Sequence, residues 1–469
     1  MSNLGNGKLY GLLRILSGGD LRQLAQVLDS PFFNRREDLR RLFAYFQSCL
    51  GAGASPEREA AFAAAYPGEA YDYPRLRHLM SFLYKQAERV VVEQELAQDE
   101  ATFHTLLVRG LYKRGAEKPL RSTLNARDRV LQKAPTRNTD FHLHQIETLR
   151  LEMVISEART EKLQGQFQEL AREIDTFFIL HKLQMAGAAL THQRLFKVRY
   201  ELGILEPVLA HIDAVGLDRI PEVAICQACY LMLAEPDEPA HYRKLKSLIP
   251  QIGQLFNPEE TSSFYTHLIN FCISRINRGE PAFLREVFDI YRQALGENVL
   301  LDDGYLSPFT YKNIVSAAIK LEEFAWAEQF LDEYRKLLPE DTRSDYYAYN
   351  LARLHLANQR YRDVVSILNR LYIQDPFTHL DGRIILIKAY FELGEYKLIE
   401  YLLDNLKHHL RRKEFLTYHK KNYHAFTKFT RRMLNLPPFR ENLRQKLVGE
   451  IREAEYLTEQ DWLLEKLGE

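Results

Sequence analysis

The pair Cys226-x-x-Cys229 has the spacing of a redox dithiol or of half a zinc site. A redox pair needs its first thiol at a helix N-terminus, where the dipole lowers the thiol pKa. Pro221 starts a helix here, since its fixed φ suits a first turn, so Cys226 lies more than one turn inside. A structural zinc needs four ligands, and His211 and His241 flank the pair at spacings that match no finger. Both cysteines therefore read as core residues, and no metal ligand is assigned. The pairs His142/His144 and His408-His409 have no carboxylates at ligand spacing and read as surface residues. Gly7-Lys8 lacks the upstream glycine and the following Ser or Thr of a phosphate loop, and neither His-Glu-x-x-His nor Gly-x-Ser-x-Gly occurs. The expectation is a non-enzymatic chain without a cofactor.

Charge is the next chemistry to weigh. Lys and Arg number 63 against 63 Asp and Glu, so the chain as a whole is not a nucleic-acid coat. Residues 407–446 nevertheless carry 12 Lys and Arg against Glu414 and Glu441, a local +10. The cations there include Lys407, Arg411, Arg412, Lys413, Lys420, Lys421, Lys428, Arg431 and Arg432, interleaved with Phe415, Tyr418, Tyr423, Phe426 and Phe429. Basic groups between rings are what single-stranded nucleic acid needs. The same spacing also suits a capping helix whose rings pack inward and whose cations face water or an acidic partner. A second basic run, Arg109–Arg137, holds nine cations against Glu117 and Asp128. Asp20–Phe46 has the outline of a DNA-reading helix hairpin, but Glu37 and Asp38 would meet the phosphates at the start of its second helix. The same carboxylates favour a helix N-terminus in a purely structural hairpin.

The elements that would position these groups are all helical. The 469 residues are 46% apolar and 27% charged, enough for sizeable cores. Apolar residues recur at three and four, as in Leu39, Leu42, Phe43 and Phe46, or Leu79, Phe82 and Leu83. Ser55-Pro56, Asn257-Pro258 and Ser307-Pro308 read as helix starts. Breaks at Gly51–Pro56, Pro67–Tyr73, Gly115–Pro119, Pro135–Thr139, Gly216–Pro221, Glu235–Pro239 and Asp302–Pro308 leave short connections, and strand signals are nearly absent. Four cysteines suit a reducing compartment. The N-terminus lacks a signal peptide's pattern, and no apolar run is long enough to span a bilayer. The chain is expected to be soluble and cytoplasmic.

A repeat runs through the C-terminal half. Phe324, Ala327, Leu331, Tyr334 and Pro339 recur 37 residues on as Tyr361, Val364, Leu368, Leu371 and Pro376. They recur again 35 residues on as Tyr396, Ile399, Leu403 and Leu406. The preceding helix repeats too, with Ile314, Val315 and Ala318 matched by Leu351, Ala352 and His355, then by Leu386, Ile387 and Tyr390. The pattern resembles the tetratricopeptide repeat (TPR), clearly over residues 308–411, with one further unit over Asn257–Leu295. The chain is also similar over nearly its whole length to a group of bacterial helical-repeat proteins of uncharacterised function. It shares Ser30-Pro-Phe-Phe-Asn34, Pro67-Gly68, Leu76-Arg77, Leu79-Met80-Ser81, Gly304-Tyr-Leu-Ser-Pro308 and Asp461-Trp-Leu-Leu-Glu-Lys-Leu467 with them. That resemblance implies a fold and no activity.

The expected architecture is all-α, a right-handed α-solenoid of TPR-like helix pairs with an irregular helical N-terminal region. Residues 1–135 form that region, 136–255 hold degenerate pairs, 256–412 the regular repeats and 413–469 basic capping helices. Some TPR grooves hold a peptide's terminal carboxylate with Lys and Asn. By resemblance Lys312 and Asn350 match two of those positions, while Ser316, Asp381 and Ile385 replace the others and remove two cations. Inward candidates for a different partner are Lys312, Tyr349, Arg353, Lys388 and Phe391. The segment Leu457–Leu467 opens on a capping-box-like Thr458/Asp461 and carries Trp462 on an apolar stripe, which can dock on a partner or fold back on its own helices. The leading expectation is a scaffold or adaptor binding a protein or peptide. A nucleic-acid-associated protein using the basic face stands second and a TPR-type transcriptional regulator third.

Overall fold

The computed structural model describes residues 3–157, 165–371, 375–412, 417–437 and 440–469. These residues form 23 α-helices and a single two-stranded hairpin, so the fold is all-α. The chain folds as two compact units, residues 1–189 with 199–226, and residues 190–198 with 227–469. Two of the divisions, at 189/190 and 226/227, fall inside helices.

The first unit runs through α1 (Lys8–Ile15), α2 (Gly18–Asp29), α3 (Glu37–Gly51), α4 (Arg58–Ala65) and α5 (Tyr73–Gln98). It continues through α6 (Glu100–Tyr112), α7 (Glu117–Lys133), α8 (Thr139–Glu157), most of α9 (Gln166–Phe196), α10 (Leu205–Val215) and the start of α11 (Pro221–Ala234). Helix α5 packs against α1, α2, α3 and α4. Leu13, Leu24, Leu42, Phe46, Leu76, Leu79 and Leu83 are buried around it. Phe82, on the same helix, stands 38% exposed with the Arg36 guanidinium 5.1 Å above its ring. Ser55-Pro56 does not start a helix. The Pro56 carbonyl accepts a 2.8 Å hydrogen bond from Leu4 N, and Asn3 bridges to Glu57, so this backbone stays extended and α4 begins at Arg58.

The second unit holds the end of α11, then α12 (Pro239–Ile252), α13 (Pro258–Asn277) and α14 (Phe283–Gly296). Strands β1 (Leu301–Asp302) and β2 (Tyr305–Leu306) follow, then α15 (Pro308–Lys320), α16 (Phe324–Tyr334), α17 (Glu340–Ala357) and α18 (Tyr361–Leu368). Helices α19 (Pro376–Glu392), α20 (Tyr396–Arg412), α21 (Thr417–Leu434), α22 (Glu441–Arg452) and α23 (Gln460–Lys466) complete it. Asn257 caps α13 in a reciprocal box with Glu260, as the Asn-Pro signal predicts. The hairpin escapes the strand search because its turn is Asp303-Gly304, not Asn-Gly. Both turn residues have positive φ, the condition for the tight hairpin turn that matches strand twist.

Residues that share the sequence period take like places in their helices. Helices α16, α18 and α20 open on Phe324, Tyr361 and Tyr396, and the residues three on, Ala327, Val364 and Ile399, are fully buried. Helix α15 contacts α16 and α17, and α17 contacts α18 and α19. The turn inside each pair is the same device. Glu322, Gln359 and Gly394 adopt φ of 59°, 59° and 74°. The following amide donates five residues back, Glu323 N to Ala318 O, Arg360 N to His355 O and Glu395 N to Tyr390 O, at 2.8–2.9 Å. A left-handed residue here lets the chain satisfy the helix's last carbonyls while reversing direction. Gly279 does the same between α13 and α14.

Candidate functional site

The groove candidates of the second unit come together in two clusters. In the first, Asp381 on α19 is the acceptor for three donors. Lys312 Nζ on α15 lies 3.0 Å from its Oδ2, Tyr349 Oη on α17 donates to Oδ2 at 3.3 Å, and Tyr423 Oη on α21 donates to Oδ1 at 2.7 Å. Tyr349 and Tyr423 are buried, and burial followed by the Asp381 charge pushes both phenols far up, so they remain donors. Asp381 neutralises Lys312, and Ile385, one turn on, is buried.

Arg353 sits one turn along α17. Its Nη1 donates to Ser316 Oγ at 2.8 Å, with Asn350 Oδ1 and the Lys312 carbonyl both at 3.4 Å. Its guanidinium lies 5.7 Å from the Tyr349 ring centre. Among the described residues no carboxylate lies within ion-pair distance of it. Asn350 itself is fully buried and donates to the Tyr346 carbonyl at 2.7 Å, a packing role.

The second cluster answers how Trp462 docks. Trp462 on α23 is buried within its own chain, edge-on to Phe391 at 5.4 Å and 6.1 Å from the Phe426 ring. Lys388 Nζ pairs with Glu459 at 2.7 Å and lies 5.7 Å from the Trp462 ring centre. Lys466 pairs with Glu392 at 2.7 Å. The C-terminal segment therefore docks in cis. The predicted Thr458/Asp461 box does not form, because Glu459 adopts φ of 58° and α23 starts only at Gln460. Between the two clusters a cleft of about 430 Å³ stays open, lined by Ser316, Lys320, Arg353, Ile385, Lys388 and Trp462.

The basic face is partly consumed. Arg431 pairs with Glu400 at 3.1 Å and Asp404 at 2.7 Å, and Arg432 with Glu450. Lys421 and Lys428 lie over the rings of Tyr456 and Phe429 at 4.6 and 5.2 Å, with their side chains exposed. Lys407 and Lys420 are half-buried, whereas Tyr423, Phe426 and Phe429 are buried. Arg411 and Arg412 close α20, and Lys413 and Phe415 lie outside the described residues. At the N-terminal hairpin, Glu37 pairs with Arg40 and Arg41 and Asp38 with Arg36.

Two further expectations are resolved in the cores. Cys226 and Cys229 are buried thiols, and burial pushes Cys229 up to about 12, which removes the thiolate that redox or metal chemistry needs. His142 is not a surface residue. It is buried between carboxylates from two other helices of the first unit, with Nδ1 2.7 Å from Glu173 on α9 and Nε2 3.3 Å from Glu222 on α11. Burial works against its charged form, but the two flanking carboxylates outweigh it and raise its pKa. The partners lie 31 and 80 positions away, beyond the reach of a local spacing search. Arg127 on α7 is likewise fully buried, donating to the His144 carbonyl at 2.9 Å and 3.7 Å from Glu147. Among the described residues no group of three or more His, Cys, Asp or Glu side chains could hold a metal ion, and no helix is long and apolar enough to cross a membrane. The chain matches no protein-family model and no curated protein.

Proposed function

We propose that the chain is a non-enzymatic scaffold or adaptor of the cytoplasm. In this reading α13–α20 form a right-handed stack of TPR-like pairs that binds a protein or peptide segment on its inner helices. The pairing is supported by the shared turn device at Gly279, Glu322, Gln359 and Gly394 and by the aromatic that opens each of α16, α18 and α20. The observation that carries the binding site is Arg353. It is a partly buried cation without a carboxylate partner among the described residues, facing an open cleft beside Trp462. Such a guanidinium takes a carboxylate as a forked pair, and the adjoining indole and Ile385 offer an apolar wall. The segment best suited to the cleft carries an acidic side chain next to an aliphatic or aromatic one.

The test is affinity capture from the lysate of the source cell, with and without nuclease, comparing the parent chain with Arg353→Glu and with Lys421→Glu/Lys428→Glu. The expected result is a set of proteins that survives nuclease, is retained by the double lysine variant and falls at least about tenfold with Arg353→Glu. Recovery that disappears with nuclease, or that ignores Arg353, overturns this reading.

A nucleic-acid role for the basic face is the second reading, favoured by Lys421 and Lys428, exposed and without carboxylate partners among the described residues. With Tyr423, Phe426 and Phe429 buried, it rests on phosphate attraction alone and demands a steep salt dependence. The double lysine variant separates it from the first. A DNA-reading hairpin at residues 20–46 is the third, and it requires a duplex footprint lost with that hairpin.

A further inference from the structure

Helix α9 is apolar on two faces. Thr176, Ile179, Leu180, Leu183, Ala186 and Gly187 are buried. The opposite face carries Phe167, Ala171, Ile174, Phe178, His181 and Met185, all exposed, with Phe167 63% and Phe178 41% accessible. The six lie four and three residues apart in alternation, the spacing of a coiled-coil seam rather than of a solvated face. The stripe lies wholly in the first unit and runs for about 27 Å at the helical rise.

The seam also identifies what covers it. Its spacing reads the same in both directions about Thr176. An antiparallel second copy in that register sets Phe167 against the partner's Met185, Ala171 against the partner's His181, and Ile174 against the partner's Phe178, each layer occurring twice. The charges agree. Asp175 and Lys182 lie one heptad apart on the same edge of the seam, and no ion pair forms at either among the described residues. Helical side chains lean toward their own N-terminus, so in the antiparallel pair Asp175 is carried toward the partner's Lys182, again twice. In a parallel pair this edge faces the one bearing Leu170, Phe177 and Gln184, and both charges lack partners. We propose that the chain self-associates through this stripe as an antiparallel two-fold dimer of α9. One helix pair is a small interface, so the dimer is expected to form in the micromolar range.

Sedimentation velocity of the full chain across the micromolar range tests the proposal. The parent chain, Phe178→Glu, Asp175→Lys and the double reversal Asp175→Lys/Lys182→Asp are compared, with circular dichroism checking that each stays folded. Asp175 and Phe178 are exposed and Lys182 is half-buried. The expected result is a parent dimer abolished by Phe178→Glu, weakened roughly tenfold by Asp175→Lys and restored by the double reversal. A parent chain that stays monomeric, a dimer indifferent to Phe178→Glu, or a double reversal no tighter than the single one each overturns it.

Discussion

Lys388 Nζ on α19 lies 2.7 Å from Oε2 of Glu459, the residue that precedes α23, and ties two parts of the second unit 71 positions apart. The pair is partly solvated, with 19% and 37% of the two side chains exposed, and so contributes at most about 1 kcal/mol. The packing beneath it is larger, because Trp462 buries its indole on Phe391 and Phe426. In urea unfolding, Trp462→Ala is expected to cost about 3 kcal/mol and a Lys388→Ala/Glu459→Ala cycle to give a coupling below about 1 kcal/mol. A Trp462 variant as stable as the parent contradicts docking in cis.

Asp381 carries the other cluster. Replacing it by Asn leaves Lys312 without its counter-charge and weakens the bonds from Tyr349 and Tyr423, at an expected cost of roughly 1–3 kcal/mol. Tyr423→Phe removes only one charge-assisted bond and is expected to cost about 1–2 kcal/mol. The two changes share one interaction, so the double variant is expected to cost less than their sum. Strict additivity in denaturant melts would contradict a single hub.

His142 makes the first unit sensitive to pH. Its pKa is raised above the ordinary 6.5, so the stability it adds is fully present below that value and is lost as pH rises through the raised native one. Glu173 behaves oppositely. Burial opposes its charge, but His142 outweighs burial and holds it below the usual 4.5, so its contribution is present above that value and lost as pH falls. Thermal stability is therefore expected to plateau between about 4.5 and 6.5 from this pair and to decline above it. In His142→Gln the alkaline decline is expected to flatten. An identical pH profile in both proteins sinks the assignment.

The pair turns offer a stabilising change. Gln359 and Glu322 hold left-handed φ of 59°, where a Cβ crowds the backbone, while Gly394 fills the equivalent place without that cost. Gln359→Gly is expected to raise stability by about 0.5–1 kcal/mol and Gly394→Ala to lower it by about 1 kcal/mol or more. Chemical-denaturation midpoints moving the other way would show that the turn is not strained.

Most helix breaks, the openings of α16, α18 and α20, the Asn257 cap and the buried Cys226 and Cys229 were legible in the linear order of residues. Each depends on neighbours within a turn or on a period of one repeat, and backbone preference and apolar spacing act over that range. Ser55-Pro56 misled because a strand-like contact from Asn3 and Leu4 holds its backbone extended. For Lys312, Tyr349, Arg353, Lys388 and Phe391 the period gives a helix and a register, and no partner. Only the tertiary structure decided that Asp381 neutralises Lys312, that Glu459 and Trp462 cover Lys388 and Phe391, and that Arg353 is left facing an open cleft. It likewise set His142 between Glu173 and Glu222, and left one of the two apolar faces of α9 exposed. A helix's period shows which residues share a face; which neighbour covers that face, and which charges meet there, depends on segments tens of residues away.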